Sequence, residues 1–127
     1  EYGMCLGVAF QLMDDAMDYI SDEAASGKPV GHDLEEGKIT LPLIHAMHQD
    51  VSLAERVAAI AERDGCYEND DKFWIRERVL QLHGVEYTIK RAQDYANRAK
   101  ALLPLEGDAT LIQLLKDLAD FSAQRLY

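Results

Sequence analysis

The sequence predicts an all-α protein of five or six helices. Three observations predict it. Apolar residues recur at three- and four-residue spacing along almost the whole chain. No stretch alternates convincingly at period two, as a half-buried strand would. The breakers Gly27, Pro29, Gly31, Gly37, Pro104 and Gly107 fall between the periodic segments.

Each element has its own local signal. Residues 2–22 read as a first helix, apolar nearly all round, which predicts burial on most sides. Residues 23–38 read as a loop. Pro42 suits the first turn of a short second helix reaching His48. Ser52 and Glu55 form a capping-box pair for a third, which ends near Gly65. Asn69, Asp70 and Asp71 offer a cap for a fourth, closed by Gly84. In the fifth, Val85, Ile89, Ala92, Ala96, Ala99 and Leu103 keep one helical face. Asp108 caps a sixth, with Leu111, Leu114, Leu115 and Leu118 on one face. Neither a repeat nor a linker interrupts the pattern, so 127 residues are expected to form part or all of one domain.

Composition narrows the function. Hydrophobic residues at 48% and charged residues at 28% exclude a disordered or collagen-like chain. Acids outnumber bases 23 to 13, for a net charge of −10. A basic nucleic-acid footprint is absent, so a phosphate-rich partner would need a local positive cluster or a bridging metal. Two cysteines, Cys5 and Cys66, argue against a disulfide framework and fit a reducing compartment. No apolar run approaches the roughly 20 residues of a membrane span, and no signal-peptide pattern opens the sequence; the expected location is the cytoplasm. The chain opens at Glu1 and reads at once as the inside of a packed element. The expectation is a fragment whose partner helices lie upstream, with a trimmed intact protein as the alternative.

The first helix carries the chemistry. With about 100° per residue, Gln11, Asp14 and Asp18 fall within about 60° of arc, and Asp15 lies about 100° from Asp14. Three carboxylates thus run along a helix that is otherwise apolar, between Phe10 and Ala16, Met17, Tyr19 and Ile20. Burying like charges is costly unless something neutralises them. A hard divalent cation does so, and Mg²⁺ takes carboxylate oxygens. An acidic face left in water is the alternative reading.

The loop that follows supplies Lys28 and Lys38 among Gly27, Gly31 and Gly37. Mg²⁺ on one or two carboxylates completes its shell with water and substrate phosphates, and lysines supply point charges to the same phosphates. A nucleotide P-loop is excluded, because the spacing before Gly37-Lys38 is wrong by one and Ile39 stands where Ser or Thr is needed. Carboxylates and lysines together read as a metal–diphosphate site.

The run Phe10-Gln11-Leu12-Met13-Asp14-Asp15-Ala16-Met17-Asp18 resembles the second aspartate-rich motif of the trans-prenyltransferases, the isoprenyl (polyprenyl) diphosphate synthases. Residues 27–44, from Gly27-Lys28-Pro29 to Pro42-Leu43-Ile44, resemble the segment that follows it, with the nearest likeness to the octaprenyl diphosphate synthases of bacteria. The motifs cover residues 7–44; residues 45–127 are compatible with the helical C-terminal part of that family but carry no motif of their own.

The resemblance implies an all-α fold around a large cavity, a homodimeric full-length enzyme, and Mg²⁺-dependent condensation of isopentenyl diphosphate with an allylic diphosphate. It implies that Asp14 is the principal metal ligand, with Asp15 and Asp18 supporting the ion directly or through water. It implies that Lys28 and Lys38 contact the allylic diphosphate with Gln11 beside them, and that Phe10 lines the wall near the reacting carbons. The chain also departs from the family pattern. Nothing here matches the first aspartate-rich motif and its arginine pair; Asp70-Asp71, followed by Lys72-Phe73-Trp74, does not fit. The chain is therefore expected to be the C-terminal part of such a domain, inactive alone. The alternative is a non-catalytic helical subunit or regulatory partner of a prenyl synthase. A terpene cyclase fits less well, since its second metal motif differs from Asp14-Asp15-Ala16-Met17-Asp18.

Elsewhere the ordinary readings prevail. His45 and His48 lack a third ligand in register. Cys5 reads as a small core residue, and Cys66 as an exposed thiol without a base. Phe73 and Trp74 read as core, Tyr87 and Tyr95 as packing residues, and Lys90, Arg91, Arg98 and Lys100 as a solvated helix face.

Overall fold

A computed structural model describes residues 1–20 and 32–124. Seven helical elements run through them, without a strand: α1 (Tyr2–Ile20), α2 (His32–Glu35), α3 (Leu41–Gln49), α4 (Val51–Arg63), α5 (Asn69–Gln81), α6 (Gly84–Ala101) and α7 (Ala109–Ser122).

Small residues bring α1 and α6 together. Ala9 and Met13 of α1 meet Ala92 and Ala96 of α6, with Ala123 closing the cluster after α7. Cys5, Ala99 and Ala119 continue that seam. The alanines of this seam let the helix axes approach closely. A second core joins Ala16 and Tyr19 to Leu34, Leu43, Ala46, Leu53, Val57, Ile60, Ile75, Val79 and Val85. Every helix but α7 contributes to it, so the C-terminal half of α1, where the carboxylates sit, is anchored in the main core.

Several boundaries differ from the sequence expectation. The cap of α4 is Asp50 and not Ser52. Its carboxylate accepts the N–H groups of Ser52 at 3.0 Å and Leu53 at 3.4 Å, and Arg78 of α5 clasps the same carboxylate. The cap of α5 is Glu68, whose N–H donates to Asp71 Oδ2 at 3.2 Å. Gly84 opens α6 instead of closing α5; the turn is made at His83, φ 61°. Gly84 is required there by proximity, since a Cβ would lie 2.3 Å from the Pro42 carbonyl oxygen. The described part of the loop contains the short α2, pinned by buried Leu34. It ends at Gly37, φ 75°, whose N–H bonds to Leu34 O at 3.0 Å.

Two apolar faces expected in the core are open. On α1, Gly3, Met4, Gly7, Phe10 and Gln11 are exposed, and a Cβ at Gly3 or Gly7 would meet nothing within 4 Å. On α7, Leu111, Leu114 and Leu118 are exposed, while Ala119 and Ser122 are buried. Phe73 is exposed as well, whereas Trp74 packs against the main core with Arg56 stacked 4.5 Å over its ring. Periodicity identifies an apolar face but not what covers it.

Candidate functional site

The carboxylates lie in the last two turns of α1. Met13, Ala16, Met17 and Tyr19 are buried on one side, which turns Asp14, Asp15 and Asp18 to a half-buried boundary. Gln11, exposed, donates from Nε2 to Asp15 Oδ1 at 3.0 Å. The expected stripe is present, but Gln11 engages Asp15 across one turn.

Asp33, outside the residues expected from the sequence, joins these carboxylates. Its N–H donates to Asp18 Oδ2 at 3.2 Å, tying α2 back to the end of α1. Its carboxylate joins the field around Asp15. Burial raises the Asp15 pKa above the ordinary carboxylate value, the Gln11 hydrogen bond partly opposes this, and the negative charges of Asp33, Asp14 and Asp18 raise it further. The same field acts on the neighbouring phenol: burial above all, then Asp18 and Asp33, pushes the Tyr19 pKa well up. The available signal for Asp33 was its position among the glycines of the loop; its contact with Asp18 is tertiary.

Lys38 follows Gly37, exposed, with Nζ 2.8 Å from Glu36 Oε2. Its N–H bonds to Asp33 O at 2.8 Å, which closes the turn. The Glu36 hydrogen bond chiefly raises the Lys38 pKa, and Asp33 and Asp15 add to it, so the lysine shares the electrostatic field of the carboxylates. Phe10 is exposed on the open face of α1, one turn before Asp14. Lys28 lies outside the described residues, as do Gly27, Pro29 and Gly31.

The donor set suits a hard cation, because every candidate ligand is a carboxylate oxygen. Among the described residues no three or more His, Cys, Asp or Glu side chains form a ready metal cage. The carboxylates Asp14, Asp15, Asp18 and Asp33 fit Mg²⁺ by chemistry, and a half-buried Asp15 among like charges is the feature such an ion would relieve.

His45 stacks on Tyr87 with ring centroids 4.0 Å apart, and its Nε2 lies 2.8 Å from Gln49 Nε2. Cys5 is buried and Cys66 exposed. Lys100 pairs with Asp120 at 2.6 Å beside a polar cleft of about 240 Å³ between α6 and α7. No helix among the described residues is long and apolar enough to cross a membrane.

Comparison with known proteins supplies the decisive observation. The family profile described as Polyprenyl synthetase matches residues 1–77, which hold the whole of this site. The chain belongs to the polyprenyl synthetase family. It is 37% identical over 128 residues to octaprenyl diphosphate synthase of Haemophilus influenzae, covering 100% of this chain and 38% of that protein. Among solved structures it superposes on polyprenyl synthase from Caulobacter crescentus, complexed with calcium and isoprenyl diphosphate, with a TM-score of 0.84 and 38% identity. That match covers 98% of this chain and 38% of the other. A geranylgeranyl pyrophosphate synthase from Corynebacterium glutamicum, complexed with isoprenyl diphosphate and magnesium, matches with a TM-score of 0.77 and 30% identity over 98% of this chain and 36% of that one. The fold is thus the all-helical isoprenyl synthase fold, and the chain spans somewhat more than a third of the length of these relatives.

Proposed function

We propose that the protein is a prenyltransferase that joins isopentenyl diphosphate to an allylic diphosphate, with Mg²⁺, to make a longer polyprenyl diphosphate of the octaprenyl type. In this reading residues 1–127 are the C-terminal part of one catalytic domain, the full-length enzyme is a cytoplasmic homodimer, and this chain alone is inactive. The carrying observation is the half-buried carboxylate cluster of Asp15, Asp14, Asp18 and Asp33 in the same field as Lys38.

Departure of diphosphate from the allylic carbon concentrates negative charge on the leaving group and leaves a carbocation. Mg²⁺ held by Asp14, with Asp15 and Asp18 in support, would supply a positive field that stabilises the departing oxygens. Lys38 and Lys28 bind the same diphosphate as point charges and contribute most as charge grows. Gln11 fixes Asp15 through its hydrogen bond. Phe10, on the open face of α1, lines an apolar wall that keeps water from the cation. The exposed Gly3, Met4, Gly7 and Phe10 face supports this reading, because it is the side on which a cavity would be closed by further helices.

The test is product analysis with isopentenyl diphosphate, farnesyl diphosphate and Mg²⁺. The full-length protein is expected to yield longer prenyl chains, and the 127-residue chain none. Absence of prenyl products from the full-length protein with every allylic primer would overturn the assignment.

A further inference from the structure

The carboxylate helix ends against a guanidinium. The last four carbonyls of a helix find no N–H partner within it, and one of these in α1 is that of Tyr19. Arg76 Nε donates to it at 2.9 Å, from 57 residues further along the chain. A cation at this end of a helix also opposes the negative pole of the macrodipole. Arg76 is well placed to hold, since α5 is packed through fully buried Ile75 and Val79 and fastened by Arg78 to Asp50 and by Asp71 to Arg56.

Tyr19 directly follows Asp18 and comes one turn after Asp15. The last turn of α1 is therefore gripped twice, by Arg76 on the Tyr19 carbonyl and by the Asp33 N–H on the Asp18 carboxylate. Helix ends fray where such contacts are missing. Mg²⁺ demands near-ideal octahedral geometry even when it takes only one or two carboxylates, so their placement matters.

We propose that Arg76 is a positioning residue for the carboxylate turn of α1, acting through the Tyr19 carbonyl to keep Asp15 and Asp18 in the arrangement that receives a divalent cation with a diphosphate. This rests on the function proposed above. Arg76 lies far from the motif in sequence, and nothing in its local pattern marks it.

The test compares Arg76→Gln and Arg76→Lys with the wild type in the full-length protein. Binding of Mg²⁺ in the presence of inorganic diphosphate is measured by calorimetry, and amide exchange is followed helix by helix. The expected result for Arg76→Gln is roughly tenfold weaker binding, the scale seen when a group that orients a metal ligand is lost. Exchange should quicken in residues 14–20 and stay unchanged in α6 and α7. Arg76→Lys, which keeps a donor and a charge, should recover part of the affinity. Wild-type affinity and exchange in Arg76→Gln would overturn the proposal, as would loss of protection spread evenly over every helix. Prenyl products are scored separately. Should the wild type make none while Arg76→Gln still weakens binding and loosens residues 14–20, the prenyltransferase reading fails and the positioning role stands.

Discussion

The N–H of Asp33 donates to Asp18 Oδ2 at 3.2 Å, so the residue that ends the aspartate motif also anchors the segment carrying Lys38. One carboxylate then holds α2 against α1 and adds its charge to the field at Asp15. Its removal should act differently from that of its neighbours.

Asp14→Ala, Asp15→Ala and Asp18→Ala are best compared in the full-length protein by single-turnover kinetics across a Mg²⁺ titration. Asp14→Ala should slow the chemical step by roughly 100-fold or more, the scale for losing one group that stabilises developing charge. Asp18→Ala should slow chemistry less but also raise the concentration of allylic substrate needed, because the Lys38 segment loses its tether. Wild-type rates for Asp14→Ala at every Mg²⁺ concentration would show that the acidic stripe is merely structural.

The two lysines should separate binding from fold. Lys28→Ala and Lys38→Ala are each expected to raise KM for the allylic diphosphate roughly 10- to 100-fold, the worth of a charge-assisted hydrogen bond. Thermal unfolding should barely change for Lys38→Ala, since the side chain is exposed and its partner Glu36 is a surface group. Unchanged KM for both variants would reduce the loop to a connector.

Asp15→Asn should stabilise the metal-free protein while weakening Mg²⁺ binding. Burial and the like charges of Asp33, Asp14 and Asp18 disfavour the ionised Asp15 carboxylate. A raised carboxylate pKa means that the folded state holds the proton more firmly than the unfolded chain. This group's contribution therefore favours folding at low pH and is lost as pH rises through the folded value. Denaturant titrations at neutral pH without divalent ions check the sign; a lower midpoint for Asp15→Asn would show that the ionised carboxylate is welcome there.

Asp50 gives the opposite dependence. Hydrogen bonds from Ser52 and then Arg78 lower its pKa from 3.8 to about 2. Its contribution is complete above the unfolded value and is lost as pH falls from about 4 towards 2. Thermal midpoints measured down that range should fall more steeply for the wild type than for Asp50→Asn, which starts lower. Parallel curves would remove Asp50 from the acid limb.

Gly84→Ala should cost about 1–3 kcal/mol by overpacking. The added Cβ would meet the Pro42 carbonyl oxygen at 2.3 Å and Val79 Cγ1 at 3.0 Å, so α6 must move away from α3. Urea unfolding measures this directly, and a midpoint equal to wild type would mean that the backbone yields freely.

The sequence by itself determined the six longer helices and the carboxylate stripe, since both follow from repeated local geometry. Val85, Ala92, Ala96 and Ala99 share a buried face because the helical period puts them there. Asp108 caps α7 because its carboxylate reaches the N–H groups of Thr110 and Leu111 within one turn. Gln11, Asp14, Asp15 and Asp18 were legible as one polar stripe for the same reason, lying within eight consecutive residues of one helix. Tertiary structure decided the cap of α4: Asp50, and not the expected Ser52, takes the first N–H groups, with Arg78 of α5 closing on the same carboxylate. It also decided that the leucine face of α7 stays open, that Asp33 joins Asp18, and that Arg76 meets the end of α1. A side chain's position along its own helix is set by neighbouring φ and ψ angles, whereas its partner across 15 or 57 residues depends on how whole helices pack, through many small contacts that no short stretch of sequence contains.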